Sequence, residues 1–359
     1  MMTLLWITRP WATQSRKLCN SACGLVYKRY HQVGSLARNV LSFRQREFQS
    51  FCLANIPSKV RVVEVGPRDG LQAEARQIDT ADKIEFIRRL SDTGLKTIEA
   101  TAFVNPKKVP QMADAPEVLA HLPKNEHISY PVLTPNLQGY LNARKAGAKE
   151  VAIFTAASET FQKKNANCSI KESIERFQPI FDAANFDGVR VRGYISCVMG
   201  CPYEGTISAE KVVTLSNMLL QKGCYEISLG DTIGIGTAGA TARLLQTFVD
   251  ANFSRDALAV HFHDTYGQAL ANIFTALQFG IHVIDSSVAG LGGCPFAKGA
   301  TGNVATEEVV YMLEGLGVDH GIDMTKLLET ATFIAGKLGK EKSRLGNAMA
   351  EKQRSSSPL

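Results

Sequence analysis

The stretch LAVHFHDTYGQALANIFTALQFGIHVIDSS, residues 258–287, decides the fold class. It begins with the apolar run Leu258–Phe262, continues as a helical stretch from Gln268 to Phe279, and returns to a second apolar run at Val283–Ser287. Two short apolar runs separated by one helical stretch predict two parallel strands joined by a crossover helix.

The same alternation extends back along the chain as far as Val60. The predicted strands are Val60–Val65, Thr97–Ala100, Ile128–Leu133, Val151–Phe154, Val189–Ile195, Glu226–Leu229, Leu258–Phe262 and Val283–Ser287. Eight βα units in series predict an α/β fold of the TIM (β/α)8 barrel type. The alternative is a doubly wound open sheet, but Gly66–Gly70 (GPRDG) lacks the glycine-rich phosphate turn expected after its first strand.

We expect a leader at the N-terminal end of the chain and a polar tail at its C-terminal end. Residues 1–46 hold eight Lys or Arg residues and no Asp or Glu. An Arg-rich, acid-free segment is typical of a mitochondrial transit peptide, so we expect a disordered leader over residues 1–55 and a location in the mitochondrial matrix. A basic tail that stays attached is the alternative. We expect the barrel to span residues 56–340, with an extra C-terminal helical segment and a polar tail at 341–359.

Charge and hydropathy exclude two classes of partner. Residues 47–359 hold 32 basic and 34 acidic side chains, so we expect no nucleic-acid partner. No apolar run approaches the roughly 18 residues that a membrane span requires, so we expect no membrane partner.

Polar residues follow several predicted strands at the end of a barrel that carries its chemistry. His261 and His263 end the seventh strand, and their spacing of two places both imidazoles on one face. Asp69 follows the first strand, and Asn303 follows the eighth. Nitrogen and oxygen ligands of this kind predict a Mg²⁺ or Mn²⁺ site, with the Asn303 amide oxygen as the least certain ligand. The alternative is a pair of core histidines satisfied by the backbone.

Three further residues are candidates for chemistry at the same rim. Arg68 precedes Asp69 and can stabilise a developing oxyanion, although a structural ion pair with Glu99 is the alternative and both roles can coexist. Cys294 lies in a glycine-rich loop and is a candidate acid, base or nucleophile. A buried, inert thiol is the alternative for Cys294.

Four motifs resemble those of the hydroxymethylglutaryl-CoA lyases. They are VGPRDGLQ at 65–72, EISLGDTIG at 226–234, HFHDTYGQ at 261–268 and SVAGLGGCPF at 287–296. The cysteine-bearing motif is specific to these lyases, whereas Arg-Asp and His-x-His are shared by a wider superfamily of lyases and synthases. The resemblance implies a TIM barrel that cleaves 3-hydroxy-3-methylglutaryl-CoA to acetyl-CoA and acetoacetate, a reaction of ketone-body formation and leucine degradation.

The resemblance also implies roles for individual residues. It assigns the Mg²⁺ or Mn²⁺ ion to Asp69, His261, His263 and Asn303. It implies that Arg68 stabilises the enolate with support from Glu99, and that Cys294 is the catalytic thiol. His261 or a bound water is the candidate base that takes the proton of the substrate's 3-hydroxyl.

The acyl-CoA substrate needs contacts outside the barrel centre. Lys164 and Asn165 are candidates for the CoA phosphates, although a plain solvated loop is an equal alternative, and Gln72 is a candidate substrate contact. The family leads us to expect a homodimer. The alternative functions are a Claisen-condensing synthase of the isopropylmalate, citramalate or homocitrate type and a barrel that binds acyl-CoA without turnover.

Overall fold

A closed parallel sheet forms the centre of the molecule. The computed structural model describes residues 55–293, 302–341 and 343–349, so the predicted leader and Cys294 lie outside the described residues. The β-segments are β1 Arg61–Glu64, β2 Thr97–Ile98, β3 Thr101–Ala102, β4 Val132–Leu133, β5 Glu150–Ala156, β6 Arg190–Ser196, β7 Cys224–Asp231, β8 Leu258–Phe262 and β9 Val283–Ser286. All except β3 lie within or overlap a predicted strand; β3 begins directly after the second predicted strand, Thr97–Ala100, so the observed strand extends further and is divided into β2 and β3.

The division of that strand shows how the sheet closes. The strands pair in the order β2-β1-β9-β8-β7-β6-β5-β4-β3, and every pairing of two strands is parallel. The two ends of this order, β2 and β3, are consecutive in the chain and separated only by Glu99 and Ala100. The Glu99 N–H donates to the Glu64 carbonyl on one side, and the Ala100 N–H donates to the Pro131 carbonyl on the other. The predicted TIM barrel is therefore confirmed, and the open sheet is wrong.

Helices alternate with the strands around the barrel. They are α1 Thr80–Asp92, α2 Ala115–Ala120, α3 Leu137–Lys145, α4 Glu159–Ala166, α5 Ile170–Asp187, α6 Ala209–Lys222, α7 Ala238–Asp250, α8 Ala269–Gln278, α9 Thr306–Gly315 and α10 Met324–Leu338. A capping box begins α5, because the side chains of Ser169 and Glu172 each bond to the backbone of the other. Asp79 is the N-cap residue of α1 but makes no side-chain capping bond.

Two segments differ from the sequence prediction. Lys164 and Asn165 lie on α4, whose first turn is capped by the Ser158 hydroxyl, and not in a loop. At the C-terminus, α10 is the expected extra helix, and residues 344–349 form a further helical turn. Within the described parts of the chain, no helix combines the length and the apolar character needed to cross a bilayer.

Candidate active site

A single turn after β1 presents both Arg68 and Asp69 to the barrel mouth. Residues Gly66–Gly70 form one turn of π-helix, in which the N–H groups of Asp69 and Gly70 both donate to the Val65 carbonyl. The widened turn brings two adjacent side chains together, and Arg68 Nη1 lies 2.6 Å from Asp69 Oδ1. Adjacent residues of an extended strand would point apart, so the π-turn is the feature that lets both groups serve one site.

The two histidines at the end of β8 meet Asp69 at the same mouth. His261 Nε2 lies 3.4 Å from His263 Nε2 and 3.8 Å from Asp69 Oδ2. One ligand atom from each of the three residues lies within 4.8 Å of the others, which is a spacing that one cation can bridge. The structure therefore brings together three of the candidate ligands, which the sequence predicted from the ends of two separate strands.

Asn303 reaches the same centre from the segment that follows the glycine-rich loop. A β-bridge joins Asn303 to His263, and the Asn303 amide nitrogen donates to Asp69 Oδ2 at 2.9 Å and to the Leu291 carbonyl at 3.1 Å. In this orientation the Asn303 amide nitrogen donates a hydrogen bond to Asp69, which is itself a candidate metal ligand. A half-turn of the amide would exchange nitrogen and oxygen, so the role of Asn303 as an oxygen ligand stays a prediction.

Arg68 forms the ion pair with Glu99 that the sequence offered as an alternative, and it also reaches the cavity. It is buried, its Nε donates to Glu99 Oε2 at 2.8 Å, and its guanidinium also lies over the Tyr194 ring at 5.3 Å. The Tyr194 hydroxyl donates to the same Glu99 oxygen at 3.1 Å. Arg68 is thus held by an ion pair at one edge while it lines the cavity at the barrel mouth.

The charges of the site shift one another's proton affinities. Burial opposes ionisation of Asp69, but the Arg68 guanidinium and the two imidazoles together lower the pKa of Asp69 to about 2. Burial lowers the pKa of His263 to about 4. Burial acts in the same direction on His261, but the carboxylates of Asp285 and Asp69 raise its pKa above the ordinary value. The centre therefore presents an ionised carboxylate beside imidazole nitrogens.

A cavity of about 240 Å³ opens at this end of the barrel. Arg68, Asp69, His261 and His263 line it together with the predicted substrate contacts Gln72 and Asn165. Lys164 is not among its lining residues, and its ammonium lies 4.7 Å from the Tyr203 ring. Gly293, the last described residue before Cys294, also lines the cavity.

Sequence reasoning missed a buried ionic network directly beneath the centre. Arg192 bonds to Glu226 and to both carboxylate oxygens of Asp285, and Asp285 in turn approaches His261 Nδ1 at 3.4 Å. Arg192, Glu226 and Asp285 are each less than 3% exposed. The available signal was the presence of charged residues inside otherwise apolar strands, such as Arg192 in β6 and Asp285 in β9.

Asp231, the last residue of β7, holds the loop that follows this strand. It accepts hydrogen bonds from the N–H groups of Ile235 and Gly236, and burial raises its pKa to about 6. It is not part of the cluster of metal-ligand atoms. Asp231 therefore shapes the rim without providing a ligand.

Comparisons with known proteins agree with the fold and the motifs. The family described as HMGL-like matches residues 59–334. A mitochondrial hydroxymethylglutaryl-CoA lyase of Gallus gallus is 60% identical over 79% of this chain and 95% of its own. A cytoplasmic 3-hydroxy-3-methylglutaryl-CoA lyase of Mus musculus is 56% identical over 80% of this chain and 84% of its own.

A solved structure gives the same result. The hydroxymethylglutaryl-CoA lyase of Pseudomonas aeruginosa superimposes with a TM-score of 0.81 at 56% identity, over 83% of this chain and 99% of that one. The resemblance inferred from the four motifs is thereby confirmed. With its closed barrel, its converging ligands and its family match over residues 59–334, the chain belongs to the HMGL-like family.

Proposed function

We propose that this protein is a hydroxymethylglutaryl-CoA lyase. It would break the C2–C3 bond of 3-hydroxy-3-methylglutaryl-CoA by a retro-Claisen step that yields acetyl-CoA and acetoacetate. The observation that carries the proposal is the approach of Asp69, His261 and His263 to within 4.8 Å of one another beside the buried Arg68. The relatives named above are lyases, and none of them is a Claisen-condensing synthase.

The donor set fits a divalent cation. One carboxylate and two imidazoles offer three ligand atoms at the cavity, and the Asn303 amide lies beside them as a candidate fourth ligand. Such oxygen and nitrogen ligands suit Mg²⁺ or Mn²⁺ with positions left for substrate. A bound cation would supply Lewis-acid activation of the substrate's 3-hydroxyl and carboxylate oxygens.

The residues of the chain divide the remaining work. Since the Nε2 lone pair of His261 is assigned to the cation, the other candidate base, a water bound in the cavity, would take the proton of the 3-hydroxyl. As the C2–C3 bond breaks, its electron pair remains on the acetyl-CoA fragment as an enolate, and Arg68 is placed to donate to the enolate oxygen. The enolate carbon must then gain one proton, and we assign this delivery to Cys294, directly or through water.

The proposed location and assembly go beyond the barrel. The basic segment at residues 1–46 favours the mitochondrial matrix, although relatives with both mitochondrial and cytoplasmic names are similar to this chain. Imaging of the full chain with a C-terminal fluorescent tag tests this, since diffuse cytoplasmic signal would contradict it. We further propose a homodimer, which sedimentation velocity of the purified protein tests directly.

The reaction itself has a direct test. Purified protein is mixed with 3-hydroxy-3-methylglutaryl-CoA and Mg²⁺, and acetoacetate is measured enzymatically. We expect equal amounts of acetoacetate and acetyl-CoA, and no product from the Asp69→Asn variant. Condensation of acetyl-CoA with a 2-oxo acid, without cleavage of the hydroxymethylglutaryl thioester, would refute the lyase and support a synthase.

A further inference from the structure

Asp285 is the side chain that approaches the non-coordinating nitrogen of His261. Strand register places it there, because β8 and β9 are parallel neighbours in which His261 is the direct partner of Asp285. Paired residues on neighbouring strands project to the same face. Asp285 Oδ2 lies 3.4 Å from His261 Nδ1, while His261 Nε2 faces His263 and Asp69 on the opposite side of the ring.

The Asp285 carboxylate is fixed by its other partners. Its Oδ1 accepts from Arg192 Nη2 at 2.7 Å, and its Oδ2 accepts from Arg192 Nη1 at 3.0 Å. The Ser228 hydroxyl donates to Oδ2 at 2.7 Å. A two-pronged contact with a guanidinium sets both the position and the plane of a carboxylate. Asp285 is thus a rigid acceptor behind the His261 ring.

The two histidines are held differently. His263 Nδ1 is buried and has no side-chain partner among the described residues; it faces the backbone of Thr232. His261 alone has a carboxylate behind it. An ionised carboxylate accepts hydrogen bonds and cannot donate them. Beside a neutral imidazole it therefore favours the tautomer that carries the proton on Nδ1 and leaves the Nε2 lone pair free.

We propose that Asp285, held by Arg192, is a positioning residue that fixes the Nδ1–H tautomer of His261 and thereby directs the Nε2 lone pair of His261 into the cation centre. The proposal rests on the divalent-cation site proposed above but not on the reaction. Outer partners of this kind change metal affinity by about 10–100-fold when removed.

The Asp285→Asn variant reverses the expected hydrogen bond at nearly constant volume. The amide oxygen would keep a contact with Arg192, and the amide N–H₂ would then donate to His261 Nδ1. The proton of His261 would move to Nε2, the atom that faces the ligand centre, so the lone pair would be lost to the cation. A comparable change of a carboxylate to an amide gives the wrong histidine tautomer in serine proteases.

Glu226 offers a matched control. It is as deeply buried as Asp285 and contacts the same arginine through Arg192 Nε at 2.7 Å, but no bond joins it to His261. Glu226→Gln therefore perturbs the charge around Arg192 without touching the histidine. Any effect that comes merely from weakening the buried network should be shared by both variants.

The test combines metal affinity with a direct reading of the tautomer. Mn²⁺ binding to the full-length protein is measured by calorimetry. The tautomer is read from the metal-free protein labelled with ¹⁵N-histidine, whose long-range ¹⁵N–¹H NMR spectrum is recorded at about pH 8.5, where free imidazole is neutral. The His261 signals are identified by their loss in a His261→Ala variant. We expect Nδ1–H at His261 in the parent, with Nε2–H and Mn²⁺ binding weakened by about 10–100-fold in Asp285→Asn.

Three outcomes would overturn the proposal. They are an Nε2–H tautomer of His261 in the parent protein, Mn²⁺ affinity within threefold of the parent in Asp285→Asn, and an equal loss of affinity in Glu226→Gln. The first measurement needs no substitution, so it decides the question even if Asp285→Asn fails to fold. Because neither readout involves turnover, a protein that binds Mn²⁺ in the expected way but cleaves no thioester would refute the proposed reaction and leave this inference standing.

Discussion

Replacement of Arg68 by Met separates its structural role from its catalytic role. The guanidinium uses Nη1 for Asp69 and Nε for Glu99, and within the described residues no hydrogen bond engages Nη2. Nη2 is therefore the group available to a developing oxyanion. Loss of one such donor costs about 10²–10³ in kcat, and we expect that loss in Arg68→Met at saturating Mg²⁺.

The same substitution leaves the fully buried Glu99 without its cation. Removal of one partner of a buried ion pair costs about 3–5 kcal/mol. The Tyr194 hydroxyl still donates to Glu99 Oε2 at 3.1 Å, so we expect a loss near 3 kcal/mol in the free energy of unfolding. In the double variant Arg68→Met, Glu99→Gln, a neutral amide oxygen can accept from Tyr194 and no unpaired charge remains at position 99. We expect the double variant to regain most of the stability and none of the turnover.

The assay follows both quantities in the same four proteins. Urea unfolding gives the free energy of unfolding for the parent, the two single variants and the double variant, and acetoacetate release gives kcat. Mn²⁺ affinity is measured in parallel, because Arg68 also contacts Asp69. If the double variant recovers turnover together with stability, Arg68 acts only as a structural partner of Glu99, and the enolate role is refuted.

Three further predictions test the cation centre, a buried carboxyl and the loop thiol. His263→Ala should weaken Mn²⁺ binding in calorimetry by about 100-fold or more, the upper range for an outer partner, whereas His282→Ala, which alters a histidine that pairs with Asp256 and is not part of the ligand cluster, should not. Burial raises the pKa of Glu64 from 4.5 to about 7 despite bonds from Thr306 and two backbone N–H groups. Glu64 therefore stabilises the fold most below pH 4.5 and loses this contribution as the pH rises to 7. Between pH 5 and 8 the free energy of unfolding of the parent, measured with urea, should fall by about 2–3 kcal/mol relative to that of Glu64→Gln. If the two proteins instead show parallel dependence on pH, Glu64 is ionised throughout. Cys294→Ala should retain Mn²⁺ binding and lose a factor of about 10²–10⁴ in kcat. Cys224→Ala, which removes a buried thiol of the core, is the control and should keep its kcat. Normal cleavage by Cys294→Ala would show that this thiol takes no part in the chemistry.

The strands and most helices of the barrel follow from local sequence. Apolar runs bounded by polar segments located every strand except β3, because strands in a parallel barrel are covered on both faces. The helix α4 was missed, since its eight residues, Glu159–Ala166, are mostly polar and give a weak helical pattern. Its formation depends on the Ser158 cap and on packing of Phe161 and Gln162, which only the folded chain provides.

The two candidate histidine ligands were predictable because their placement depends on periodic rules. The spacing of His261 and His263 fixes their common face, and the ends of parallel strands fix the shared mouth. Arg68 and Asp69 required more, since only the π-turn at Gly66–Gly70 turns both inward. A turn of this type has no sequence pattern that distinguishes it from other turns containing glycine and proline.

The orientation of the Asn303 amide and the network beneath His261 depend on contacts in the folded chain and not on a periodic rule. Asn303 lies at the predicted strand end, but which of its two amide atoms faces Asp69 depends on competing contacts such as the Leu291 carbonyl. Asp285 and Arg192 are charged residues within apolar strands, and isolated buried charges of this kind are too costly to persist without partners. Asking which neighbouring strand supplies the opposite charge at the same register leads from Arg192 to Glu226 on β7, but not to Asp285, because β6 and β9 are not adjacent in the sheet. Applied to β9, that question leads from Asp285 to its register partner His261, and so from a charge buried in an apolar strand to the cation centre itself.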